Sequence, residues 1–296
     1  MTTHPLLGVA LVLAAASLWG TTGTAQALSG QALPATWFGA LRLAVAALFF
    51  AAYAAWTLPR GWRNGAALPK GSLLAAGVAM AVYNLAFFGG VRLTGVAVGT
   101  AVALGSGPVW AGVLQSLLTR QVPPRGWWLG TALAVTGGVL MAGVGGAGTP
   151  VDLVGVLLCL SAGLSYAAYT LATKTLVPVA PPAVITLSAF GVAALLALPA
   201  AWVEAGVPTV RAADAAAVLY VGVVTAGVAY LLYSHALHHV SAATGVTLAL
   251  AEPVVAFLLA LAVVGERPPV AACAGLLLVV SGVAVVVRTE MARART

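Results

Sequence analysis

Residues 108–137 read PVWAGVLQSLLTRQVPPRGWWLGTALAVTG, and residues 253–282 read PVVAFLLALAVVGERPPVAACAGLLLVVSG. Pro108, Gly130 and Gly137 fall on Pro253, Gly275 and Gly282, and the pair Pro123-Pro124 falls on Pro268-Pro269, always 145 apart. Towards the start of each half the offset drifts to 147. There Gly8 matches Gly155, Trp19 matches Tyr166, Thr22 matches Tyr169 and Gln26 matches Thr173. Isolated coincidences are common in a chain with 34 Gly and 16 Pro, but a run of them at one offset marks an internal duplication. Each half reads as five apolar spans. Five is odd, so two membrane-embedded halves sit upside down relative to each other. Many secondary transporters build a midplane binding site between alternating gates in this way.

Composition agrees. Charged residues are 6% of the chain, against about 25% in a soluble domain. Hydrophobic residues are 62% and the mean hydropathy is +1.07. Such a chain cannot cover a water-facing surface, so its solvent is lipid. At about 20 residues per span, 296 residues hold ten spans with short loops and no separate soluble domain. The predicted spans are 6–27, 34–57, 72–92, 95–118, 126–143, 152–172, 182–203, 214–235, 241–263 and 269–288. Runs such as LRLAVAALFFAAYAAW (41–56) are apolar on every side, unlike the alternating strands of a membrane barrel. The expected fold is an all-α integral membrane protein. Its ten transmembrane helices form two inverted-topology five-helix repeats, residues 1–145 and 146–296, in one membrane domain.

The net charge of +7 is distributed like a topology signal. With the N-terminus inside, the cytoplasmic segments hold Arg60, Arg63, Lys70, Arg120, Arg125, Lys174, Arg288, Arg293 and Arg295. The outer segments hold Arg92, Arg211 and Arg267, and Arg42 lies within a span. This is the positive-inside bias. It predicts N-in, C-in topology and explains the basic charge without a nucleic-acid partner. Ala25-Gln26-Ala27 resembles a signal-peptide cleavage site, but no Lys or Arg precedes Leu6, and cleavage would destroy the repeat. The first span is therefore expected to be retained. Cys159 and Cys273 fall inside spans and read as small packing residues. The expected location is the bacterial inner membrane, multi-pass, as a monomer or weak homodimer among membrane lipid.

Polar groups inside the spans are few, and ionisable ones there are functional candidates. Glu252 lies near the centre of span nine, directly before Pro253. Proline removes a backbone donor and frees a carbonyl one turn earlier. The pair therefore marks either a kinked helix suited to an amine or a proton, or a carboxylate that caps loose backbone groups. The mirror position before Pro108 is Gly107, so the site is asymmetric. Arg42 has two readings, a carboxylate-binding group or an arginine that snorkels or pairs within the protein; the second is preferred. His235, His238 and His239 end span eight. They form one HxxHH group without the further boxes a metal-centred enzyme needs. His235 and His239 are a possible proton-sensitive gate, or solvated interfacial histidines. The run GVGGAG at 143–148 follows no predicted strand, so it is not a nucleotide loop. No cofactor and no catalytic or metal-ligating residue is expected.

The aromatic-polar faces carry more. Trp19, Thr22 and Gln26 share one side of span one. Tyr166, Tyr169 and Thr173 mirror them, and Tyr83, Asn84 and Phe87 follow in span three. Thr100, Ser106 and Trp110 lie in span four, and Tyr230 and Tyr233 in span eight. Spans five and ten and most of seven are aliphatic. The contrast predicts a central cavity lined by spans one, three, four, six, eight and nine. Interfacial belts suit Tyr53, Trp56, Trp62, Trp127 and Trp128 at span ends instead. Small residues spaced like Gly95 and Gly99, and Gly8, suit close helix approach.

The chain resembles the EamA-type branch of the drug/metabolite transporter superfamily. The likeness runs through LAAASLWGTTGTAQ (13–26), the arginine of FGALRLAVAALFF (38–50) and LTGVAVGTAVALGSGPVW (93–110). It continues through HHVSAATGVTLALAEPVVAFLLALAVVGERPPVAACAGLLLVVSGVAVVV (238–287), close to the branch's "EP … GE … G … L … G" ending. The resemblance implies two inverted five-helix repeats around a central cavity, with export of amino acids or other small metabolites. By it, Glu252-Pro253 match the family's Glu-Pro, Glu266 its loop Glu and Arg42 its span-two arginine. The first half departs, with Gly107 opposite Glu252 and Gln121 opposite Glu266. Span one carries no carboxylate, unlike small four-span relatives, which speaks against their route of polyaromatic-cation export.

The expected function is alternating-access export of a small organic solute, chiefly amino acids, with drugs, quaternary amines or passive flux as alternatives. Trp19, Thr22, Gln26, Tyr83, Asn84, Trp110, Tyr166, Tyr169, Tyr230 and Glu252 are the expected path-lining residues, and Glu252 is the candidate for proton coupling. Aromatic faces can hold an ammonium, and the midplane lacks a Lys/Arg cluster for phosphate.

Overall fold

The computed structural model describes residues 4–29, 33–58, 68–143, 152–264 and 269–293, and every regular element among them is helical. Arg60, Trp62, Arg63, Glu266, Arg267, Pro268, Arg295 and residues 144–148 of the glycine run lie outside the described residues. In the first half, α1 (Pro5–Trp19) and α2 (Thr22–Leu28) form one jointed span. It is followed by α3 (Ala35–Thr57), α4 (Lys70–Thr94), α5 (Val96–Thr119) and α6 (Arg125–Met141). The second half opens with α7 (Leu153–Leu176) and α8 (Pro182–Ala205). Span eight is α9 (Ala212–Tyr220), a π-helical stretch Val221–Val228 and α10 (Ala229–Ala236). Span nine is α11 (Ala242–Leu248), a 3-10 turn Ala249–Ala251, α12 (Glu252–Leu259) and a second π stretch, Ala260–Val264; α13 (Val270–Arg293) closes the chain.

Nine of these spans, among the described residues, are long and apolar enough to cross a membrane. The remaining predicted span, 126–143, corresponds to α6, whose 17 residues rise about 25 Å against a hydrocarbon core of about 30 Å. Burial and hydropathy run opposite to their order in a soluble protein. The most apolar span, Val270–Arg293, has mean hydropathy 2.7 over a stretch only 28% buried, whereas Ala212–Ala236, at 2.1, is 50% buried. Side chains such as Leu117, Leu195, Val203 and Leu277 stand exposed on the outside. A surface of that kind is at rest only in an apolar solvent, so the chain is a multi-pass membrane protein.

Contacts between the halves repeat when the halves are exchanged. α4 packs on α7 as α1 packs on α10; α5 packs on α7 as α1 packs on span nine; α4 packs on α8 as α3 packs on the π stretch of span eight. Two contacts map onto themselves, α3 with α8 and α6 with α13. The repeat glycines form the second of these. A methyl group at Gly130 would fall 2.7 Å from Gly282 O, and one at Gly137 would fall 2.5 Å from Gly275 O. The helices therefore cross antiparallel with backbones in contact, which small residues permit. Gly8 makes a similar approach, to His239 and Val240. Gly95 does not: at φ 82° it is the joint between α4 and α5, and a methyl group there would meet nothing within 4 Å, while Gly99 packs on Val91 and Thr94. Cys159 is a buried packing residue as expected, but Cys273 is exposed on α13. Trp56 stands exposed at a span end, whereas Trp127 is buried against Trp128 and Gly112.

The proline pair is where the duplication stops being symmetric. Pro108 sits inside an unbroken α5. Pro253 occupies the first turn of α12, directly after the 3-10 turn, where its missing N–H leaves one fewer donor to satisfy.

Candidate functional site

A cavity of about 520 Å³ lies at the centre of the bundle. Its floor is a cluster of aromatic rings at mid-span. Trp19 meets Tyr230 at 5.0 Å between centroids, Tyr233 at 5.4 Å and Tyr166 at 6.4 Å, and Tyr83 meets Tyr166 at 5.4 Å. The three Trp19 pairs are edge-to-face, an arrangement that contributes ~0.5–1.5 kcal/mol each beyond area burial. From the floor the lining rises past Thr22 and Gln26 on α2, Ala35 on α3, Val91 on α4 and Thr100 on α5. These stand at the end of the bundle remote from both chain termini, called here the distal end.

Of the ten residues expected to line the path, seven do so: Trp19, Thr22, Gln26, Tyr83, Tyr166, Tyr230 and Glu252. Asn84, Trp110 and Tyr169 lie outside the lining. Asn84 is buried against α3, where its Nδ2 donates to Gly39 O at 3.5 Å. Tyr169 is fully buried behind the floor, 6.4 Å from the Tyr166 ring and 5.9 Å from the Tyr230 ring. Trp110 packs on the hydrophobic core. All three share a helix with true lining residues but are turned to a neighbouring helix, which spacing alone does not distinguish.

One charged lining residue was not among those ten. Arg42, read from the sequence as a packing or snorkelling arginine, faces the same cavity as Glu252. Its guanidinium carbon sits 5.5 Å from the centroid of Phe88, a cation–π contact. Its buried Nε has no hydrogen-bond partner, nor does the buried Nε1 of Trp19. Arg42 and Glu252 do not pair: the ion pair formed among the described residues joins Arg92 to Glu204 at the distal end. The cavity thus holds one basic and one acidic side chain above an aromatic floor, within electrostatic reach of each other but, among the described residues, in no salt bridge, and Tyr83 hydrogen-bonds the guanidinium. The signal for Arg42 was its mirror-free position inside a span, an expensive place for a charge without a task.

The opposite end is sealed by polar contacts around residues 237–244. Lys174 Nζ donates to Leu237 O at 2.6 Å and to Val240 O at 2.9 Å. Gln115 Oε1 accepts from Ala243 N at 3.0 Å. Glu290 accepts from Ser241 N at 3.2 Å and from Thr244 Oγ1 at 2.7 Å. The backbone N–H of His4 donates to His239 Nδ1 at 3.3 Å, and His235 Nδ1 donates to Leu231 O at 2.7 Å. Lys174, counted in the sequence as a loop cation, is thus a helix residue that caps the end of span eight, while Gln115 and Glu290 hold the start of span nine. Burial, reinforced by neighbouring basic groups, holds the imidazoles of His238 and His239 below their usual range. Among the described residues no group of His, Cys, Asp and Glu could hold a metal ion.

The family model described as the EamA-like transporter family matches the chain twice, over residues 6–143 and 153–288. The "Uncharacterized transporter YwfM" of Bacillus subtilis (strain 168) is 36% identical over 280 residues, covering 93% of this chain and 92% of that protein. A solved structure described as "Crystal structure of protein" superposes with a TM-score of 0.81 over 98% of this chain and 99% of that one. At 18% identity it speaks to the fold alone.

Proposed function

The chain belongs to the EamA-like transporter family, and on that premise we propose that it exports amino acids or similar zwitterions across the bacterial inner membrane by alternating access. The observation that carries this reading is Arg42 and Glu252 lining one cavity with no salt bridge, among the described residues, on either. A zwitterion offers a carboxylate for the guanidinium, an ammonium for Glu252, and a side chain for the rings of Trp19, Tyr166 and Tyr230. Thr22 and Gln26 add hydrogen-bonding groups at the cavity mouth. The two halves act as inverted repeats that rock about this site. Described basic residues favour the end with the termini, Lys70, Arg120, Arg125, Lys174, Arg288 and Arg293 against Arg92 and Arg211, so that end faces the cytoplasm.

The test is flux from proteoliposomes loaded with labelled amino acids, with and without a pH gradient. Saturable flux is expected, inhibited by the parent amino acid but not by its methyl ester or its des-amino analogue. Equal inhibition by the des-amino compound would remove Glu252 from the reading, and equal inhibition by the ester would remove Arg42. No flux of any amino acid from folded protein would overturn it. Competition by quaternary amines alone would favour the cationic-drug alternative, which needs only Glu252 and the aromatic floor. A permanently open channel fits poorly with the sealed end at residues 237–244.

In this reading the contacts of Lys174, Gln115, Glu290 and His239 are the closed cytoplasmic gate. Lys174→Met removes a charge-assisted contact worth ~1.5–3 kcal/mol. It is expected to raise backbone hydrogen exchange at 237–244 by about tenfold or more. Unchanged exchange would dismiss Lys174 as a gate residue. The histidines add a pH term of defined sign. Their closed-state pKa is lowered, so closing is unpenalised well above the ordinary histidine value of ~6.5 and weakens as pH falls through it. After correction for intrinsic rates, exchange at 237–244 is expected to rise from pH 7.5 to 5.5, and His239→Gln to blunt the rise.

A further inference from the structure

A second cavity, of about 580 Å³, lies beside the first between α5, α6 and the part of span nine that follows Leu250. The two cavities share Glu252, which stands at their junction with Thr100 and Leu104. Past that junction every side chain of the lining is apolar, with Val135 and Gly138 on one wall and Pro253 and Phe257 on the other.

The backbone accounts for the gap. α11 packs on α5, whereas α12, beyond the 3-10 turn and Pro253, packs chiefly on α1, α2 and α13. The break at the proline thus turns the second half of span nine away from α5 and α6. The mirrored helix of the first half is not broken in this way. There α5 runs unbroken through Pro108 and lies against α7 so closely that a methyl group at Gly163 would fall 2.7 Å from Ala103 O.

The geometry points to a tail pocket. An unbranched apolar chain, attached to an ammonium held at Glu252, runs sideways from the central cavity into this groove. The inference rests on the ammonium half of the proposed function and not on the carboxylate half. Two observations select the occupant. The Glu252 carboxyl group at the junction provides the acceptor for an ammonium at one end, and the walls beyond it offer no hydrogen-bonding side chain, so what continues from the amine is hydrocarbon. The preferred substrates are then zwitterions or amines with a long aliphatic chain rather than a polar side chain.

Gly138 supplies the test, because a methyl group there would meet nothing within 4 Å. Gly138→Leu should fill the groove and leave the fold intact. The probes are n-alkylamines from butyl to decyl, titrated against the full chain in lipid nanodiscs and read by tryptophan fluorescence. Each methylene buried in the groove is worth about threefold to fourfold in affinity. Partition into the bilayer strengthens apparent binding to wild type and variant alike, so the difference between them reports the groove. Butylamine is expected to bind both proteins equally, while the gain from hexylamine to decylamine is at least about tenfold larger for wild type. Val135→Phe, from the same wall, should reproduce the loss if Gly138→Leu folds poorly. Parallel chain-length slopes in wild type and both variants would overturn the tail pocket, as they would if the groove is filled by lipid. Failure of butylamine to bind either protein would overturn it as well. Butylamine binding without alanine binding would instead sink the zwitterion reading and leave the tail pocket standing.

Discussion

Arg42→Gln and Glu252→Gln are each expected to lower amino-acid affinity by ~10- to 150-fold. The estimate follows from the loss of one charge-assisted contact worth ~1.5–3 kcal/mol. The two losses should differ in kind. Arg42→Gln should leave the binding of simple amines intact, because the guanidinium serves the carboxylate, and the Phe88 ring beside it remains. Glu252→Gln should weaken amines and zwitterions alike. It should also separate coupling from movement, since Glu252 is the one carboxylate in the lining of the cavity. Dependence of uptake on the pH gradient should vanish while exchange persists. Binding titrations of alanine and butylamine, with uptake at two external pH values, decide the matter. A variant with unchanged pH dependence would take proton coupling away from Glu252, and loss of amine binding in Arg42→Gln would contradict the division of roles.

Gly137→Leu is expected to prevent assembly of the folded bundle, while Gly138→Leu, one position on, is expected to leave it intact. A side chain at Gly137 would start 2.5 Å from Gly275 O and 2.6 Å from Val279 N, both backbone atoms that cannot swing aside. Gly138 faces open space. Overpacking typically costs about 1–3 kcal/mol, and contact with backbone on an opposing helix belongs at the upper end or beyond. Gly282→Leu should behave like Gly137→Leu, because its new side chain would meet Gly130 O and Ala134 N at 2.5 Å. The readouts are the monodisperse yield from size-exclusion chromatography and the Tm in mild detergent. Equal behaviour of the two neighbouring leucine variants would mean that α6 and α13 do not cross as described.

The spans were legible because each is a long apolar run bounded by Pro, Gly or charge. Predicted 34–57 and 182–203 became Ala35–Thr57 and Pro182–Ala205. Repeat offsets also marked Gly130, Gly137, Gly275 and Gly282, although not that they would meet one another across the halves. Irregularities were only partly legible. Pro253 announced the break before α12, but nothing in VGVVTAGV announced eight π-helical residues at 221–228, since π and α turns need the same apolar surface. Rotation about a helix axis was the other blind spot. Tyr166 and Tyr169 are three residues apart and both aromatic, yet one faces the cavity and the other a helix. Arg42 was misjudged for a related reason: whether a span-embedded arginine pairs internally or faces a cavity depends on where the other helices stand, and span two was not expected to reach the cavity at all.

Among the described residues, the contacts that Lys174 and Gln115 make around 237–244 are not repeated by their counterparts in the duplicated scaffold. At the repeat offsets Lys174 corresponds to Ala27, and Gln115 to Ala260; neither alanine can grip a backbone group. Two perfectly matched halves would populate their two facing states equally. In the proposed cycle the closure at 237–244 draws on two hydrogen-bonding side chains that the mirrored alanines cannot supply, so the two populations are expected to be unequal. A net preference of about 2.8 kcal/mol already holds the minority state near 1 in 100. A solute arriving from the cytoplasm would then meet a binding-competent protein only that often, and its apparent dissociation constant would rise by the same factor. Affinity measured from the two sides of the membrane should therefore be unequal, weaker from the side where cargo is loaded. If the protein exports as proposed, loading would then answer to cytoplasmic excess, and modest pools would be left alone.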